Sequence, residues 1–238
     1  MEFAIIAAGE GSRLAQEGFK SPKPMVQLQG LPLIHRLINS FISNGAVKIH
    51  IIINEYSPLV EEYLRSLNID VPVNLIKKNT PSSLHSFYEL TKLIEGGAVC
   101  LATTDTVFKE DEFSNYISSF LKDDSLDALM AATIFVDDEK PLYIETDSEL
   151  MIKAYLDEKN DNSRFVSGGI YCLRRPVFKI VESAINNGVS RMRNFQRLLI
   201  ENGCVVKAYP FSKIIDIDHV EDIAKAQQWL DENCITEA

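Results

Sequence analysis

Strands and helices alternate strictly through the first hundred residues, and this order constrains the fold more than any other feature of the sequence. Short apolar runs rich in β-branched residues predict four buried strands, at Phe3–Ala8, Ile49–Ile53, Val73–Ile76 and Ala98–Thr103. Helical periodicity fills the intervals between them, at 33–42, from 58 onward and at 83–95. Strands joined by helices become parallel neighbours. We therefore predict an α/β fold of three layers around a doubly wound, mainly parallel sheet.

The second half of the chain departs from this alternation. Further strands are predicted at Ala128–Val136, Leu142–Thr146, Ile152–Leu156, Gly169–Leu173 and Val205–Tyr209. Helices are predicted at 111–121, from Pro176, at 192–200 and at 220–230. The consecutive strands favour an antiparallel addition, which makes the sheet mixed. No repeat, low-complexity tract or linker interrupts the chain, so we expect one domain over residues 1–238.

Charge and cysteine content exclude several classes of function. The net charge is −10, and the excess of acid lies in residues 103–162 and 216–238. Binding to nucleic acid depends on Lys and Arg that neutralise phosphates, so we expect no nucleic-acid partner. No apolar run approaches the ~20 residues of a membrane span, and none resembles a signal peptide. Four isolated cysteines predict reduced thiols and a cytoplasmic location. The four isolated histidines are expected on the surface rather than at a metal ion.

A glycine pair directly after the first predicted strand marks the first candidate site. Gly9 and Gly11 let backbone N–H groups approach an anion, and Arg13 and Lys23 add positive charge. The spacing is not that of a P-loop, and Leu14 replaces the third glycine of a dinucleotide fingerprint. Asp105 follows the strand Ala98–Thr103. Ligands of such sheets bind outside the carboxyl ends of the strands, so we expect both loops to face one crevice.

The segments AIIAAGEGSRL, SPKPM and GLPLI resemble, in this order, the N-terminal signature of the sugar-1-phosphate nucleotidyltransferases. That family includes the NDP-sugar pyrophosphorylases and the related phosphocholine cytidylyltransferases. The similarity continues in NTPSSL at 79–84, LATTDTVF at 101–108, DEK at 157–159, SGGIY at 167–171 and DIDHVED at 216–222. It implies a Rossmann-like nucleotidyltransferase fold. It also implies Mg²⁺-dependent transfer of a nucleoside monophosphate from an NTP to a sugar-1-phosphate, with release of pyrophosphate.

The resemblance assigns roles residue by residue. The catalytic residues are Arg13 and Lys23; nucleotide binding falls to Ala8, Gly9, Gly11, Ser12, Thr80, Ser82 and Ser83; sugar binding falls to Lys159, Gly168 and Gly169. Mg²⁺ is assigned to Asp105 together with Asp216 or Asp218, with Asp216 preferred. Asp222 is expected instead in the first turn of the last helix, where its charge favours the helix dipole.

Two alternatives to a sugar substrate stay open at this point. One is a cytidylyltransferase that acts on phosphocholine or another small non-sugar phosphate. The other is a catalytically silent regulatory subunit that binds a nucleotide-sugar, although intact Arg13, Lys23 and Asp105 weigh against silence. The expected partners are an NTP and a small phosphorylated substrate. The nucleobase, the acceptor and the oligomeric state are not determined by the sequence.

Overall fold

The computed structural model of the protein describes residues 1–137 and 139–234. The strands in these residues are β1 (Glu2–Ala7), β2 (Gln27–Leu28), β3 (Leu31–Pro32), β4 (Lys48–Ile53), β5 (Val73–Lys77), β6 (Ala98–Thr103), β7 (Thr106–Val107), β8 (Ala128–Thr133), β9 (Tyr143–Thr146), β10 (Ile152–Leu156), β11 (Ser163–Arg174), β12 (Val206–Phe211) and β13 (Ile215–Asp216). The α-helices are α1 (Ser12–Gln16), α2 (Leu33–Ser43), α3 (Pro58–Ser66), α4 (Ser83–Thr91), α5 (Glu110–Lys122), α6 (Phe178–Asn186), α7 (Met192–Glu201) and α8 (Val220–Cys234). Single turns of 3₁₀ helix lie at Lys23–Met25 and Arg175–Val177.

The main sheet is mixed and mainly parallel. Its strands lie in the order β12-β8-β11-β6-β1-β4-β5, and β9 and β10 extend it beside the first part of β11. Strands β6, β1, β4 and β5 are parallel, whereas β11 is antiparallel to both β6 and β8. Two small ribbons, β2–β3 and β7–β13, lie outside it. The predicted α/β class and the antiparallel addition are both confirmed.

Alternate residues of the central strand β1 divide the core into two layers. Phe3 and Ile5 belong to the apolar cluster that contains buried side chains of α2, α3 and α5. Ala4 and Ile6 belong to the opposite cluster, with side chains of α4, α6 and α7. Successive side chains of a strand point to opposite faces, so a fully apolar strand requires helices on both. The result is the predicted three-layer sandwich.

Two predicted strand boundaries are wrong by three residues or more. Strand β8 ends at Thr133 rather than at Val136, because the Thr133 hydroxyl accepts a hydrogen bond from the Phe135 N–H (3.1 Å) and turns the chain. Strand β11 begins at Ser163 rather than at Gly169 and continues through an irregular register after Ser167. Gly169 has φ +73° there, so this glycine marks a bulge inside the strand and not its start.

The expectation that all histidines lie on the surface is also wrong. His50 is completely buried on β4, and its Nε2 lies 2.5 Å from the Glu2 carboxylate on β1. Cys100 and Cys172 face each other in the core across β6 and β11, and burial raises the pKa of the Cys100 thiol.

Within 1–137 and 139–234, no helix is long and apolar enough to cross a membrane.

The strand order places a topological switch point at the carboxyl ends of β1 and β6. The chain leaves β1 toward β4 and β5 on one side and returns to β6 on the other. At the end of this pair Ile6 lies opposite Thr103, and the loops that follow diverge. A crevice therefore opens between these two loops, which is where such sheets bind ligands.

Candidate functional site

The loop after β1 is shaped by its two glycines. Gly9 is exposed, and a Cβ built on it would meet no atom within 4 Å. Gly11 has φ +62°, a left-handed conformation that favours glycine, and it precedes the short helix α1. A Cβ on Gly11 would lie 3.0 Å from the Cβ of Lys23. Glycine at position 11 is therefore what allows Lys23 to approach this loop.

Lys23 lines the same crevice as this loop and begins a 3₁₀ turn, with Pro22 before it and Pro24 after it. Its ammonium donates to Asp105 Oδ2 (2.5 Å) and to Asp218 Oδ1 (2.7 Å), and only 13% of the side chain is exposed. Burial by itself would lower the pKa of Lys23, but the two carboxylates raise it well above its usual value. Lys23 is therefore a protonated bridge between two segments that are distant in the sequence.

Asp105 is held where β6 ends. The neighbouring Thr104 donates both its N–H (3.1 Å) and its hydroxyl (2.7 Å) to the Ile6 carbonyl, which ties this loop to β1. Burial would raise the pKa of Asp105, but the charge and hydrogen bond of Lys23 outweigh it and hold the pKa below its ordinary value. The second carboxylate oxygen, Oδ1, is buried and accepts no hydrogen bond within the described residues. Asp105 is thus ionised, with one oxygen available to a further positive group.

Asp218 contacts both cations of the crevice, Arg13 and Lys23. Its Oδ2 accepts from the Arg13 guanidinium (2.6 Å), while its Oδ1 accepts from Lys23. Its backbone N–H and that of His219 both donate to Asp222 Oδ2, at 3.0 and 2.7 Å. Asp222 lies in the first turn of α8, as predicted, and is buried. The sequence did not reveal that Asp222 also orients Asp218, which contacts both Arg13 and Lys23.

Asp216, the preferred metal ligand in the sequence, lies on a different wall. It belongs to the short strand β13, opposite Thr106 of β7. Its Oδ1 is 3.8 Å from the position that a Cβ on Gly169 would take. Its negative charge also acts on Tyr171, whose pKa is raised first by burial and then by Asp216. Lys23 therefore bridges Asp105 and Asp218 rather than Asp105 and Asp216.

Glu17 is a further residue that the sequence reading missed. One of its carboxylate oxygens lies 2.5 Å from His219 Nδ1, and the other accepts from the Val220 N–H at 2.7 Å. These contacts tie the end of α1 to the start of α8, the same two segments that the Arg13–Asp218 ion pair connects. No local pattern could reveal them, because the partners are about two hundred residues apart.

Eight of the predicted site residues line one crevice. They are Gly9, Gly11, Ser12, Arg13, Lys23, Ser83, Asp105 and Asp218. A second cavity adjoins it and shares two of these residues, Arg13 and Asp218, and its wall also contains Gly168 and Asp216. A Cβ on Gly168 would lie 2.3 Å from Ile214 Cδ1, so any side chain there would require Ile214 to move. We call this second space the side cavity; it meets the crevice at the Arg13–Asp218 pair.

The segment expected to hold the nucleobase already has protein partners. Ser82 Oγ accepts from the Arg191 N–H (3.0 Å), and Ser83 Oγ accepts from the Met192 N–H (3.2 Å) at the start of α7. The Thr80 hydroxyl lies 2.6 Å from that of Ser86. Of the three predicted residues, only Ser83 lines the crevice. The hydroxyls of Ser82 and Ser83 therefore tie α4 to α7, whereas that of Thr80 contacts α4 itself.

The remaining predicted residues lie near the two cavities but not on their walls. Ala8 is half-buried against the core beneath the glycine loop. Gly169 packs against the hydroxyls of Thr106 and Thr103, so a side chain there would displace the β6–β7 connection. Lys159 is exposed on the rim of an outer cavity, where it is joined by Asp157 and Arg193. That outer cavity meets the side cavity at Glu139 and Pro141.

A mixed α/β sheet with a glycine loop, two cations and two carboxylates at its switch point defines a class of phosphate-binding α/β proteins. The sequence model of the nucleotidyl transferase family matches residues 4–233, and the chain belongs to this family.

The individual relatives have low sequence identity to this chain. A 2-aminoethylphosphonate cytidylyltransferase of Lancefieldella rimae is 27% identical over 45% of this chain and 44% of its own length. The bifunctional protein GlmU of Methanococcus maripaludis is 25% identical over 95% of this chain and 53% of its own. The chain thus spans about half the length of these curated relatives. The solved inositol-1-phosphate CTP transferase of T. maritima has a TM-score of 0.79 at 20% identity, over 97% of this chain and 96% of that one. It shares the fold.

Proposed function

We propose that the protein transfers a nucleoside monophosphate from an NTP to a sugar-1-phosphate or another small phosphorylated acceptor, and releases pyrophosphate. The observation that carries this proposal is the convergence of Arg13, Lys23, Asp105 and Asp218 on one crevice. Both reactants are phosphate anions, so the reaction requires positive charge and positioning more than covalent help. Membership in the nucleotidyl transferase family supports the same chemistry.

The proposed reaction is an in-line displacement. An oxygen of the acceptor phosphate attacks the α-phosphorus of the NTP and forms a new P–O bond. The bond between the α-phosphorus and the oxygen that leads to the β-phosphate breaks, and pyrophosphate leaves with that electron pair. Backbone N–H groups of Gly9 and Gly11 bind the nucleotide phosphates, for which the open space beside Gly9 provides room. Arg13 holds the departing pyrophosphate, and Lys23 bridges the two reacting phosphates.

Magnesium is the proposed cofactor, and the residues present fit it. Mg²⁺ prefers one or two carboxylates with substrate phosphates and waters rather than a cage made by the protein. Within 1–137 and 139–234, no group of three or more His, Cys, Asp and Glu side chains could hold a metal ion. Asp105, with its buried Oδ1 that accepts no hydrogen bond in the described residues, offers one ligand. Bound Mg²⁺ supplies charge compensation for the phosphates. We assign the second ligand to Asp218 rather than Asp216, because Asp218 shares Lys23 with Asp105.

The side cavity favours a second candidate, an acceptor that carries a cationic amine. Its wall contains five carboxylates beside the ring of Phe135: Asp137, Glu139, Asp216, Asp218 and Asp222. Two cations neutralise part of this charge: Lys225 pairs with Asp137 (3.1 Å) and Asp222 (3.5 Å), and Arg13 on the same wall pairs with Asp218 (2.6 Å). The carboxylates outnumber these cations, so the wall keeps a net negative charge. A neutral sugar has no need for such a negative wall, whereas an ammonium group is stabilised by it. The similarity to a 2-aminoethylphosphonate cytidylyltransferase supports this candidate.

Release of pyrophosphate tests the proposal directly. The protein is incubated with Mg²⁺, each common NTP and a panel of acceptors that includes sugar-1-phosphates, phosphocholine and 2-aminoethylphosphonate. We expect turnover with one NTP and one group of acceptors. Turnover with the amine-bearing acceptors alone would select the second candidate. Tight binding of an NDP-sugar without turnover of any pair would refute the transferase and indicate a binding subunit.

Lys23→Ala tests the mechanism. Loss of one preorganised charged donor at the reacting group should lower kcat by about 10²- to 10³-fold. Lys20→Ala is the matched control, because Lys20 is an exposed lysine on the loop that leads to the same turn. Full activity of Lys23→Ala would refute the assigned role whichever substrates are used.

A further inference from the structure

The ammonium of Lys23 lies between the two carboxylates that the proposed function assigns to the metal ion. It is 2.5 Å from Asp105 Oδ2 and 2.7 Å from Asp218 Oδ1, so one positive group contacts both side chains. In the free protein Lys23 is therefore a counter-ion that the two carboxylates share. A divalent cation that binds both carboxylates is repelled by the ammonium between them and must displace it.

The backbone of Lys23 has little freedom to retreat. It is flanked by Pro22 and Pro24, and the 3₁₀ turn is closed by hydrogen bonds from Met25 N to the Pro22 carbonyl (2.8 Å) and from Val26 N to the Lys23 carbonyl (3.1 Å). On the other side, Gly11 packs so closely that a methyl group there would be only 3.0 Å from the Lys23 Cβ. Only the outer part of the side chain can move, by rotation about its own bonds.

Lys23 contacts both carboxylates, so it can leave them only by exchanging them for another anion. The space into which the ammonium can turn is the crevice, which the Gly9–Gly11 loop also lines. That loop is the proposed site of the nucleotide phosphates, and a phosphate is the anion that can take Lys23 from the carboxylates.

We infer that Lys23 closes the divalent-cation site in the nucleotide-free protein, and that the phosphates of the nucleotide open it by drawing Lys23 away from Asp105 and Asp218. The inference rests on the proposed function, since it uses the same crevice and carboxylates. It assigns Lys23 two successive partners, the carboxylates before the nucleotide binds and the phosphates afterwards. The free protein then binds divalent cations weakly, and tight binding requires nucleotide.

Binding of Mn²⁺ to the nucleotide-free protein tests this inference without any turnover. Free Mn²⁺ is measured by electron paramagnetic resonance in titrations of wild type, Lys23→Met and Lys20→Met. Met keeps the approximate length of Lys without its charge. We expect Lys23→Met to bind Mn²⁺ at least about tenfold more tightly than wild type, within the usual range of coupling between two sites. Lys20→Met removes the same charge from an exposed position and should match wild type.

Two further measurements keep the result interpretable. Lys23→Gln repeats the test if Lys23→Met does not fold, and circular dichroism checks folding of each variant. Asp218→Asn added to Lys23→Met should return the Mn²⁺ affinity to that of wild type. Tight Mn²⁺ binding by nucleotide-free wild type, or equal affinities of wild type and the Lys23 variants, would overturn the inference. Release of pyrophosphate by wild type would still support the proposed function in that case, so the two can fail separately.

Discussion

Gly11→Ala is the substitution whose effect can be worked out most fully from the structure, because it combines two costs that a control can separate. The first cost is conformational. Gly11 has φ +62° and ψ 35°, and an alanine held there should lose about 1 kcal/mol of folding free energy. In a chain of this size, ~1 kcal/mol lowers Tm by about 2–4 °C. The second cost is steric, since the new methyl group would lie 3.0 Å from the Lys23 Cβ.

The steric cost should appear in activity. An ordinary contact of this kind is 3.4–4 Å, so Lys23 must shift by a few tenths of an ångström. A displacement of about 1 Å at a reacting group can cost about 10²-fold in rate, so we expect this smaller shift to lower kcat/KM by up to about 10-fold. The assay is pyrophosphate release with the substrate pair that gives turnover.

Gly45→Ala is the matched control for this prediction. Gly45 has φ +73° at the end of α2, and a Cβ there meets no atom within 4 Å. It should show the same loss of Tm with unchanged kcat/KM. Equal activities of the two variants would show that the contact between Gly11 and Lys23 does not position the ammonium.

Three further predictions follow from other contacts. Asp222→Ala should lower stability by about 1 kcal/mol through loss of a helix-terminal acceptor, and should lower kcat because Asp218 is no longer held. Asp222→Asn keeps an acceptor oxygen, so it should recover part of the lost stability in a thermal assay and part of the lost kcat in a kinetic assay. EDTA should abolish pyrophosphate release while it leaves the Tm of the nucleotide-free protein unchanged, because Lys23 already satisfies both carboxylates. The ion pairs with Arg197 and Arg193 lower the pKa of Asp157 below its ordinary value of 3.8. The stability that these ion pairs contribute is therefore present above pH 3.8 and is lost as the pH falls through the lowered pKa. Asp157→Asn should therefore lower Tm slightly at pH 7 but not at a pH below the lowered pKa of Asp157, and an equal difference at both pH values would contradict the assignment.

The strands and helices that bear the glycine loop and Asp105 were predictable because their signals are local. Strand β6 has the predicted bounds Ala98–Thr103, and β1 differs by one residue at each end. Each is an apolar run that ends at glycine or at polar residues, and burial on both faces requires such a run. The short strands β7 and β13 were not predictable, since two residues are too few for any periodicity to appear.

Contacts between distant segments explain most of what the sequence could not reveal. His50 is buried because β4 is an inner strand and Glu2 lies on the strand beside it. The hydroxyls of Ser82 and Ser83 meet the start of α7, whose backbone lies more than a hundred residues further along the chain. Each of these side chains has an ordinary local context, and only the assembled sheet decides its partner.

The choice between Asp216 and Asp218 illustrates the same limit inside the site. The two residues are two positions apart and would point to the same side of a continuous strand. Strand β13 ends at Asp216, however, and Asp222 then holds the next turn by its Asp218 and His219 N–H groups. Asp218 therefore faces Lys23, whereas Asp216 remains beside the β6–β7 connection.

The charge balance of the crevice bears on how a nucleotide can bind. Arg13 and Lys23 are the cations that line it, and Asp105 and Asp218 neutralise them in the free protein. A triphosphate that enters alone therefore gains little net attraction, since it must take both cations from carboxylates that are then left without partners. A triphosphate that enters with Mg²⁺ brings the positive charge that those carboxylates require. Under the proposed function, the free energy of this exchange favours nucleotide and metal together over either alone, and we propose that the bridging position of Lys23 couples them.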